Sequence, residues 1–361
     1  MSKTYRILAI NPGSTSTKIS VFENKEQVWT ENLAHSQEEL SSFEKIIDQY
    51  DFRERVILRS LADNGFPVDS FHGVVGRGGL LYPVAGGTYR VDERLKDHLR
   101  QGVQGEHVSN LGALIADKVA EEAGCDAFIV DPVVVDELQP LARYSGHPEL
   151  PRKSIFHALN QRAVARNAAE KLGRPYGQAN LIVAHMGGGI TVGCHSQGRV
   201  IDVNNGLNGD GPFTPERTGG LPSGDLVDLC FRGDRSHDQM KKLIKGAGGI
   251  VAYLGTNSMK EVSDRVDNGE SESEAVYRAM AYQVSKEICS LAAVVDGQVD
   301  GIVLTGGVAN DPRFTGWIEE RVGFLAPVLV FPGEMEMDAL ALGALRVLEG
   351  REEAQTYQPE E

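Results

Sequence analysis

The chain of 361 residues is long enough for two or three globular domains, since one domain commonly takes roughly 150 residues. Its composition, 41% hydrophobic and 24% charged, is typical of folded proteins and excludes a disordered or collagen-like chain. The formal net charge of −15 argues against a nucleic-acid-binding protein, which needs a concentrated basic surface. Glycine, with 41 residues, exceeds its typical usage of roughly seven in a hundred, and this excess needs a reason.

The cysteine spacing and the apolar stretches restrict the compartment. The four cysteines are far apart and form no Cys-x-x-Cys pair, so neither a zinc site nor a disulfide framework is expected. Residues 7–10 are too short an apolar stretch for a signal peptide, and no apolar stretch approaches the roughly 18 residues of a membrane span. We therefore expect a cytoplasmic protein without a membrane partner.

Short β-branched stretches alternate with longer amphipathic ones, which is typical of an α/β fold. In chain order, strands are predicted over residues 5–10, 18–22, 27–33, 72–75, 127–130, 181–185, 191–195, 199–203, 301–305 and 328–331. Helical periodicity is clearest over residues 106–122, 156–172, 272–295 and 338–348. Residues 204–224 are rich in Gly and Pro and predict a long loop, a feature that is often functional.

Two segments of the chain are alike. Residues 7–22 (ILAINPGSTSTKISVF) and 181–195 (LIVAHMGGGITVGCH) each contain an apolar strand, one polar residue, a turn of small residues and a second strand. In both, a further turn leads to a third strand. Placing Gly13 over Gly187, an offset of 187 − 13 = 174 residues, also places Asn11 over His185. The pattern favours a duplicated hairpin unit in two similar domains over two unrelated hairpins.

Glycine-containing turns follow four of the apolar strands, and the first two turns suit phosphate. Residues 11–18 (NPGSTSTK) offer backbone N–H groups, hydroxyls and a lysine, all of which bind anions. This turn is not a P-loop, because Thr17 precedes the lysine and Ile19 follows it. Residues 186–191 (MGGGIT) bring backbone close to a ligand, but they lack the glycine spacing of the dinucleotide-binding fingerprint.

The other two turns suit a nucleoside and an anion. Residues 301–310 (GIVLTGGVAN) place glycines at a strand end, beside the start of a predicted helix, where a nucleoside could lie against the backbone. Residues 74–79 (VVGRGG) hold Arg77 among glycines, and its planar guanidinium suits a carboxylate or a phosphate.

Several charged and imidazole side chains follow predicted strands or lie in loops. Asp131 is either a Mg²⁺ ligand or a turn aspartate, and Glu334 and Glu336 are either metal partners or first-turn helix acids. His185 ends a strand and His157 begins a helix, positions that also suit core or capping groups. Arg217 in the long loop either stabilises a transferring phosphoryl group or is a surface arginine.

At these residues the chain resembles the acetate/butyrate kinase family of the actin-like ATPase superfamily, over nearly its whole length. The resemblance is carried by a colinear series of motifs: Asn11-x-Gly13-Ser14-x-Ser16-x-Lys18, Glu106-His107, Asp131, Ile155-Phe156-His157, His185-x-Gly187-x-Gly189, Glu216-Arg217-Thr218-Gly219 and Thr305-Gly306-Gly307. Arg77 inside its glycines, Gly188 in the second phosphate loop and the segment 86–89 depart from the acetate kinase pattern and resemble butyrate kinases.

The resemblance implies two duplicated RNase H-like domains, with mixed sheets flanked by helices and an active-site cleft between the domains. The first would comprise residues 1–155, completed by a C-terminal helix at 336–361, and the second residues 156–335. The resemblance also implies a homodimer or a larger homo-oligomer.

The implied reaction is ATP + carboxylate ⇌ acyl phosphate + ADP, by direct in-line transfer with Mg²⁺, in which positioning and charge neutralisation do the catalysis. Arg217 and His185 would stabilise the phosphoryl group, and His157 would steady it or the developing acyl phosphate. Arg77 would orient the carboxylate, with His107 also in the substrate site, and Asp131 and Glu336 would hold the metal ion. The implied nucleotide-binding residues are Asn11, Gly13, Ser14, Ser16, Lys18, Gly187, Gly188, Gly189, Thr305, Gly306 and Gly307.

Butyrate is the expected substrate among several acids. Acetate, propionate or a branched-chain acid are alternatives, because one methylene in an apolar pocket is worth only roughly 1–3 kcal/mol. Two alternatives come from other classes: a sugar kinase, which usually needs an aspartate to deprotonate a hydroxyl, and a non-catalytic actin-like ATPase. The physiological direction and the choice between Glu334 and Glu336 stay open.

Overall fold

A computed structural model describes residues 3–359, which divide into two compact units. The first unit runs to Asp136 and resumes at Met335, and the second is Glu137–Glu334. The first unit contains the strands β1 (Arg6–Pro12), β2 (Ser16–Glu23), β3 (Glu26–Ala34), β4 (Gly73–Arg77), β5 (Thr88–Arg90) and β6 (Asp126–Val130). Its helices are α1 (Gln37–Ser41), α2 (Tyr50–Asp63), α3 (Glu93–Gln101), α4 (Asn110–Ala123) and the C-terminal Glu336–Leu348, which is α12 in chain order.

The first unit has its sheet covered on both faces. The strand order is β3-β2-β1-β4-β6-β5, with β1, β4 and β6 parallel to one another and β2, β3 and β5 antiparallel to their neighbours. Helix α4 packs on β1, β4 and β6 from one side, and α12 packs on the same strands from the other. Residues 7–10 of β1 are therefore all buried, as the continuous apolar stretch in the sequence predicts.

The second unit repeats this arrangement. Its strands are β7 (Asn180–Met186), β8 (Ile190–Ser196), β9 (Arg199–Val203), β10 (Gly301–Gly306) and β11 (Val328–Pro332). Its helices are α5 (Ala158–Lys171), α6 (Ser223–Phe231), α7 (His237–Ile244), α8 (Ile250–Leu254), α9 (Met259–Asp267), α10 (Ser271–Ala292) and α11 (Pro312–Val322). The strand order is β11-β10-β7-β8-β9, and α5 and α10 pack on the sheet.

The predicted duplication is confirmed by strand order and by register. In each unit, an antiparallel three-stranded meander is followed by strands that lie parallel to its first strand. Asn11 pairs with Lys18 in the first unit, and His185 pairs with Thr191 in the second. The next turn contains a residue with positive φ in both units, Asn24 at 53° and Gln197 at 51°.

The structure refines the predicted elements and adds others. The strands expected from the sequence are all present, whereas β5 and several helices, α2 and α3 among them, were not predicted. The helix expected from residue 106 begins at Asn110, because the His107 ring accepts a hydrogen bond from the Ser109 N–H just before it. Among the described residues, no helix combines the length and apolar character that crossing a membrane requires.

The boundary between the units, after Asp136, falls earlier than the boundary predicted after residue 155. Residues beyond Asp136 are bound to the second unit: the Gln139 N–H donates to the Ile201 carbonyl oxygen at 2.9 Å. The Val200 N–H likewise donates to Glu137 Oε2 at 2.8 Å. The second boundary, between Glu334 and Met335, lies one residue before the predicted one.

Candidate active site

The first unit brings three predicted site residues to the carboxyl edge of its parallel strands. Ile10 of β1 lies beside Gly76 of β4, and Arg77 lies beside Val130 of β6. Asn11, Arg77 and Asp131 therefore end or follow three adjacent strands, which lie roughly 4.8 Å apart in a sheet. Polar groups at this edge of an α/β sheet are well placed for a ligand.

Asn11, Arg77 and Glu336 form one hydrogen-bonded cluster. Asn11 Nδ2 donates to Glu336 Oε2 at 2.6 Å, and Arg77 Nη1 donates to the Glu336 carboxylate at 2.9 Å and to Asn11 Oδ1 at 3.3 Å. Glu336 is the first residue of α12, so the helix that completes the unit carries this carboxylate to the strand ends. The cluster thus contains one anionic group, Glu336, and one cationic group, Arg77. A bound phosphate or carboxylate could displace either of the two contacts that Arg77 makes.

Asp131 is buried and held in an unusual backbone conformation. Its φ is 39°, a left-handed value that costs a non-glycine residue about 1–3 kcal/mol and persists mainly at functional sites. Gly87 fixes it from both sides, because the Gly87 N–H donates to Asp131 Oδ1 at 2.7 Å and the Asp131 N–H donates to the Gly87 carbonyl at 2.9 Å. The segment 86–89, singled out in the sequence, thus holds this carboxylate.

The turn between β1 and β2 is held from inside by Arg53, which sequence reasoning missed. This guanidinium, on α2, is fully buried and donates to the carbonyl oxygens of Gly13, Ser14 and Ser16 at 2.9 to 3.2 Å. Burial lowers the pKa of Arg53 to about 10, so it stays protonated at neutral pH. Because the turn's carbonyls point inward at Arg53, its other polar groups are left for a ligand.

Ser14, Ser16 and Lys18, three other predicted groups of the first unit, lie in this turn or at the start of β2. Ser14 and Lys18 are exposed and Ser16 is partly exposed, as expected for groups that meet a solvent-borne phosphate. His107 Nδ1 lies 2.8 Å from Ser109 Oγ, so the ring also caps the turn before α4. A role for His107 in binding substrate stays a prediction.

The second unit presents an equivalent strand edge, with His185 at the end of β7. His185 lies beside Thr305 of β10, and Thr305 lies beside Phe331 of β11. The His185 ring is buried, and its Nδ1 lies 2.9 Å from Oδ1 of Asn160 on α5, which also accepts a hydrogen bond from Thr305 Oγ1 at 3.3 Å. Glu334 Oε1 lies 3.9 Å from His185 Nε2.

His157 stacks on His185. The two ring centroids are 3.9 Å apart and the planes are inclined by 13°, so two sequence motifs 28 residues apart (185 − 157) meet face to face. His157 precedes the first residue of α5, and its Nδ1 lies 2.8 Å from Thr191 Oγ1 on β8. The stacked pair is thus fixed by α5 on one side and by the hairpin on the other.

Arg217 reaches the triple glycine from the long loop. A Cβ built on Gly189 would lie 2.2 Å from Arg217 Nη1 and 3.3 Å from Cε1 of His157, so this glycine makes room for both side chains. The Thr214 hydroxyl donates to the Gly188 carbonyl at 2.7 Å and accepts from the Arg217 N–H at 3.0 Å, which binds the loop to the turn. Burial lowers the pKa of Arg217.

The predicted adenosine motif borders a cavity. Gly307 and Asn310 line it together with Asp311 at the start of α11 and residues of α9 and α10, and its volume is about 380 Å³, within the range of small-molecule sites. Tyr277 Oη and Ser263 Oγ both donate to Asp311 Oδ2, at 3.1 and 2.8 Å. The α9 residues of this wall were not indicated by the sequence, which predicted no helix there.

The glycines at residues 74–79 make room for close packing. A Cβ on Gly76 would lie 2.1 Å from the Gly112 carbonyl oxygen of α4, and a Cβ on Gly79 would lie 2.4 Å from Asn110 Oδ1. These glycines let α4 approach β4 closely. Arg77 itself lies at the strand edge, and its role in binding an anion stays a prediction.

The donor set of the first unit fits a magnesium ion that is bound mainly through nucleotide phosphates. Mg²⁺ in such sites takes one or two protein carboxylates, with phosphate and water oxygens as its other ligands. The strand edge carries two carboxylates, Asp131 and Glu336. Among residues 3–359, no three His, Cys, Asp or Glu side chains are grouped as a metal site, so a complete protein cage is absent there.

Two kinds of comparison relate the chain to known proteins by sequence. The profile of the acetokinase family matches residues 142–316. Butyrate kinase 2 of Clostridium acetobutylicum is 54% identical over 353 residues, which cover 98% of this chain and 99% of that protein. A probable butyrate kinase of Clostridium botulinum is 50% identical over 354 residues, which cover 98% of this chain and all of that protein (100%).

A comparison of folds finds a known protein with a similar architecture. The crystal structure of Porphyromonas gingivalis acetate kinase superposes with a TM-score of 0.78 at 18% identity, over 95% of this chain and 100% of that one. At that identity the likeness concerns the fold alone. It confirms the fold class that the sequence predicts.

Proposed function

The chain belongs to the acetokinase family, and we propose that it is a butyrate kinase, which transfers the γ-phosphoryl group of ATP to the carboxylate of butyrate. The observation that carries the reaction type is the convergence of Arg217 and the His157–His185 stack on the glycine turn of the second unit. Positioned cations and N–H donors of this kind stabilise the charge that spreads over a phosphoryl group in flight.

The first unit would bind the phosphates and the carboxylate of the substrate. Asn11 and the turn that Arg53 supports would position the phosphates, and Arg77 would orient the acid, since its guanidinium is already within hydrogen-bonding distance of a carboxylate, that of Glu336. Asp131 and Glu336 would hold Mg²⁺ directly or through water, and the ion would neutralise part of the phosphate charge. His107 is proposed to assist at the substrate.

The second unit would stabilise the phosphoryl group during transfer and bind the nucleoside. Arg217 and His185 would stabilise the transferring group, and His157 would donate to it or to the developing acyl phosphate. No general base is required, because a carboxylate is already deprotonated near neutral pH. Gly187 and Gly188 would approach the phosphates, and the cavity beside Gly307 would take the adenosine.

Butyrate is proposed over acetate on the strength of the relatives. The two sequence relatives named above are called butyrate kinase 2 and probable butyrate kinase, and they match 98% of the chain at 50% identity or more. The acetate kinase shares 18% identity. We further propose that the protein is cytoplasmic, since its nucleotide substrate is a cytoplasmic metabolite, and that it forms the homodimer or larger homo-oligomer that the family resemblance implies.

An acyl hydroxamate assay tests the proposed function. The protein, ATP and Mg²⁺ are incubated with hydroxylamine and straight or branched acids from acetate to hexanoate. Glycerol and hexoses are the control acceptors, and their phosphorylation is measured as ADP release. We expect hydroxamate formation with the highest kcat/KM on butyrate and no ADP release above background with the alcohols. A maximum on acetate or on a branched acid would reassign the substrate. ADP release with a hexose and no hydroxamate from any acid would replace the proposal by a sugar kinase.

A further inference from the structure

A row of buried polar side chains runs through the second unit and ends at His157. This row, called the relay below, consists of Tyr176, His195, Gln161 and Thr191, of which only Thr191 lies in a turn that the sequence indicated. Gln161, Thr191 and His195 are fully buried, and Tyr176 is nearly so. Buried polar groups carry a cost unless each is hydrogen-bonded, so such a row needs a structural or functional reason.

The amide of Gln161 can be oriented without ambiguity. One end lies 2.9 Å from the main-chain carbonyl oxygen of Thr191, which can only accept a hydrogen bond, so this end is Nε2. The other end, Oε1, then faces His195 Nε2 at 3.1 Å, and an oxygen acceptor there requires a proton on that nitrogen. Gly193 leaves the space for this contact, since a Cβ on it would lie 2.6 Å from Gln161 Oε1.

His195 is neutral and its second nitrogen is an acceptor. Complete burial, with the nearby Arg162 guanidinium as a smaller cause, lowers the pKa of His195 to about 3. With the proton on Nε2, Nδ1 accepts from the Tyr176 hydroxyl at 2.9 Å. The direction of every hydrogen bond from Tyr176 to Gln161 is thereby fixed.

The direction of the hydrogen bonds at the Thr191 hydroxyl is fixed in the same way. Gln161 Nε2 also donates to Thr191 Oγ1, at 2.9 Å, and the main-chain N–H of His157 points at the same oxygen at 3.5 Å. Among the described contacts of this hydroxyl, His157 Nδ1 at 2.8 Å is the one atom able to accept its proton. The hydroxyl therefore donates to Nδ1, and the proton of the neutral His157 ring stays on Nε2.

We propose that Tyr176, His195, Gln161 and Thr191 are positioning residues that hold His157 as its Nε2–H tautomer, with its donor nitrogen directed away from the relay. The inference rests on the proposed function, because an Nε2–H donor is what His157 needs in order to hydrogen-bond an oxygen of the transferring phosphoryl group. The other tautomer would present a lone pair there and repel that oxygen.

The test reads the tautomer directly and does not depend on turnover. Protein labelled with ¹⁵N histidine is examined by long-range ¹H–¹⁵N correlation at a pH where His157 is neutral, with His157→Gln to assign the signals. We expect an unprotonated Nδ1 and a protonated Nε2 in the wild-type protein. A proton on Nδ1 would overturn the proposal, whether or not the chain phosphorylates butyrate.

Variants then connect the tautomer to turnover. Thr191→Val keeps the branched shape but removes the hydroxyl, and we expect both His157 tautomers and a kcat lower by about 10- to 100-fold, with little change in the KM for ATP. Thr191→Ser restores the donor and should rescue both readouts. Tyr176→Phe should lower kcat in the wild-type background and cause no further loss in Thr191→Val, because the relay is already broken.

Several outcomes would contradict the relay. Unchanged His157 signals and turnover in Thr191→Val would do so. Equal losses of kcat in Thr191→Val and Thr191→Ser would also contradict it, because they would indicate that the Thr191 side chain acts through packing. If Thr191→Val does not fold, the wild-type spectrum and the Ser and Phe variants decide the question. Absence of acyl hydroxamate with every acid would count against the proposed function and leave the tautomer measurement valid.

Discussion

At the scale of single residues, the surroundings of Arg217 hold its guanidinium in place and leave some of its N–H donors for a ligand. Its Nη1 donates to the Gly206 carbonyl oxygen at 2.6 Å, which holds the side chain in place. Its Nε is buried and has no hydrogen-bond partner among the described residues. Burial lowers the pKa of this guanidinium, but arginine stays charged near neutral pH. The remaining donors suit a phosphoryl oxygen.

Replacing Arg217 by alanine is predicted to lower kcat by about a thousandfold, because an arginine that stabilises a transferring phosphoryl group is worth about 10³–10⁵ in kcat. The KM for butyrate should change much less. Arg235→Ala, which removes an exposed arginine of the same unit, is the matched control and should leave kcat unchanged. Steady-state kinetics measure both variants, and near wild-type turnover in Arg217→Ala would remove this residue from the mechanism.

Glu287 gives the second unit a dependence of stability on pH. Burial on α10, with the Asp210 carboxylate as a further cause, raises the pKa of Glu287 from 4.5 to about 7. Between pH 4.5 and about pH 7, the folded state therefore still binds a proton that the unfolded state has already released. Stability contributed by this group falls as pH rises from 4.5 to 7 and does not return above it.

The variant Glu287→Gln is predicted to reduce this loss, because the amide cannot ionise. Urea unfolding at pH 5.5 and at pH 8 should show a smaller decrease for the variant than for the wild-type protein, and a higher midpoint for the variant at pH 8. An equal decrease in both proteins would show that Glu287 does not carry the effect.

At the scale of elements, backbone contact between β4 and α4 sets the position of Arg77. Gly76 and Gly112 face each other so closely that a Cβ on either would lie within 2.3 Å of the opposite main chain. Arg77 follows Gly76 directly, so a shift of β4 away from the helix would also move the guanidinium relative to Asn11 and Glu336.

Gly76→Ala is therefore predicted to destabilise the protein by about 1–3 kcal/mol, as overpacking does, and to raise the KM for the acid. Gly316→Ala is the matched control, because nothing lies within 4 Å of a Cβ there and Gly316 is inside α11. Alanine should stabilise that helix by roughly 0.5–1 kcal/mol. Urea unfolding compares the two variants, and equal effects would contradict the packing explanation.

The two hairpin units were predictable because their signal is local. An apolar strand, a turn of small residues and a second strand repeat after 174 residues, and the structure pairs Asn11 and His185 with equivalent partners. Arg53 was not predictable, since a charged residue on an amphipathic helix normally lies on the solvent face. Its contact with Gly13 joins residues 40 apart in the chain (53 − 13), and no local pattern encodes that.

Other parts of the fold and of the site are likewise not encoded in local sequence patterns. Gln161, His195 and Thr191 belong to a helix and a hairpin whose buried faces read as ordinary core positions. Strand β5 has three residues, too few for any periodicity, and exists because it pairs with β6. The packing role of the glycines beside Arg77 was not predictable, because a ligand and a closely packed helix require the same absence of a Cβ.

At the scale of the whole chain, the C-terminus returns to the first unit and completes it. Helix α12 carries Glu336 to the strand edge, and the tail beyond it pairs with β5, where the Gln355 N–H donates to the Thr88 carbonyl at 2.8 Å. Tyr357 is buried, and its hydroxyl lies 3.0 Å from His98 Nδ1 and accepts from the Tyr82 N–H at 3.3 Å. Residues from both ends of the sequence thus form one core.

Tyr357→Ala is predicted to destabilise the protein by about 3–5 kcal/mol, the cost of truncating a buried aromatic side chain. Tyr144→Ala is the control, because that ring is 80% exposed and its loss should change stability by less than about 0.5 kcal/mol. Urea unfolding measures both. A similar midpoint for the two variants would show that the tail is not part of the core.

The central claim, phosphoryl transfer to the oxygen of a carboxylate, is tested most directly by isotope transfer. Butyrate labelled with ¹⁸O at both carboxylate oxygens is incubated with the protein, ATP, Mg²⁺ and hydroxylamine in unlabelled water, and the released inorganic phosphate is examined by ³¹P NMR. Attack of the carboxylate on the γ-phosphorus makes its ¹⁸O the bridging oxygen of butyryl phosphate. Hydroxylamine then attacks the carbonyl carbon, and phosphate leaves with that ¹⁸O. The account predicts one ¹⁸O per phosphate, and phosphate that carries no ¹⁸O would contradict it.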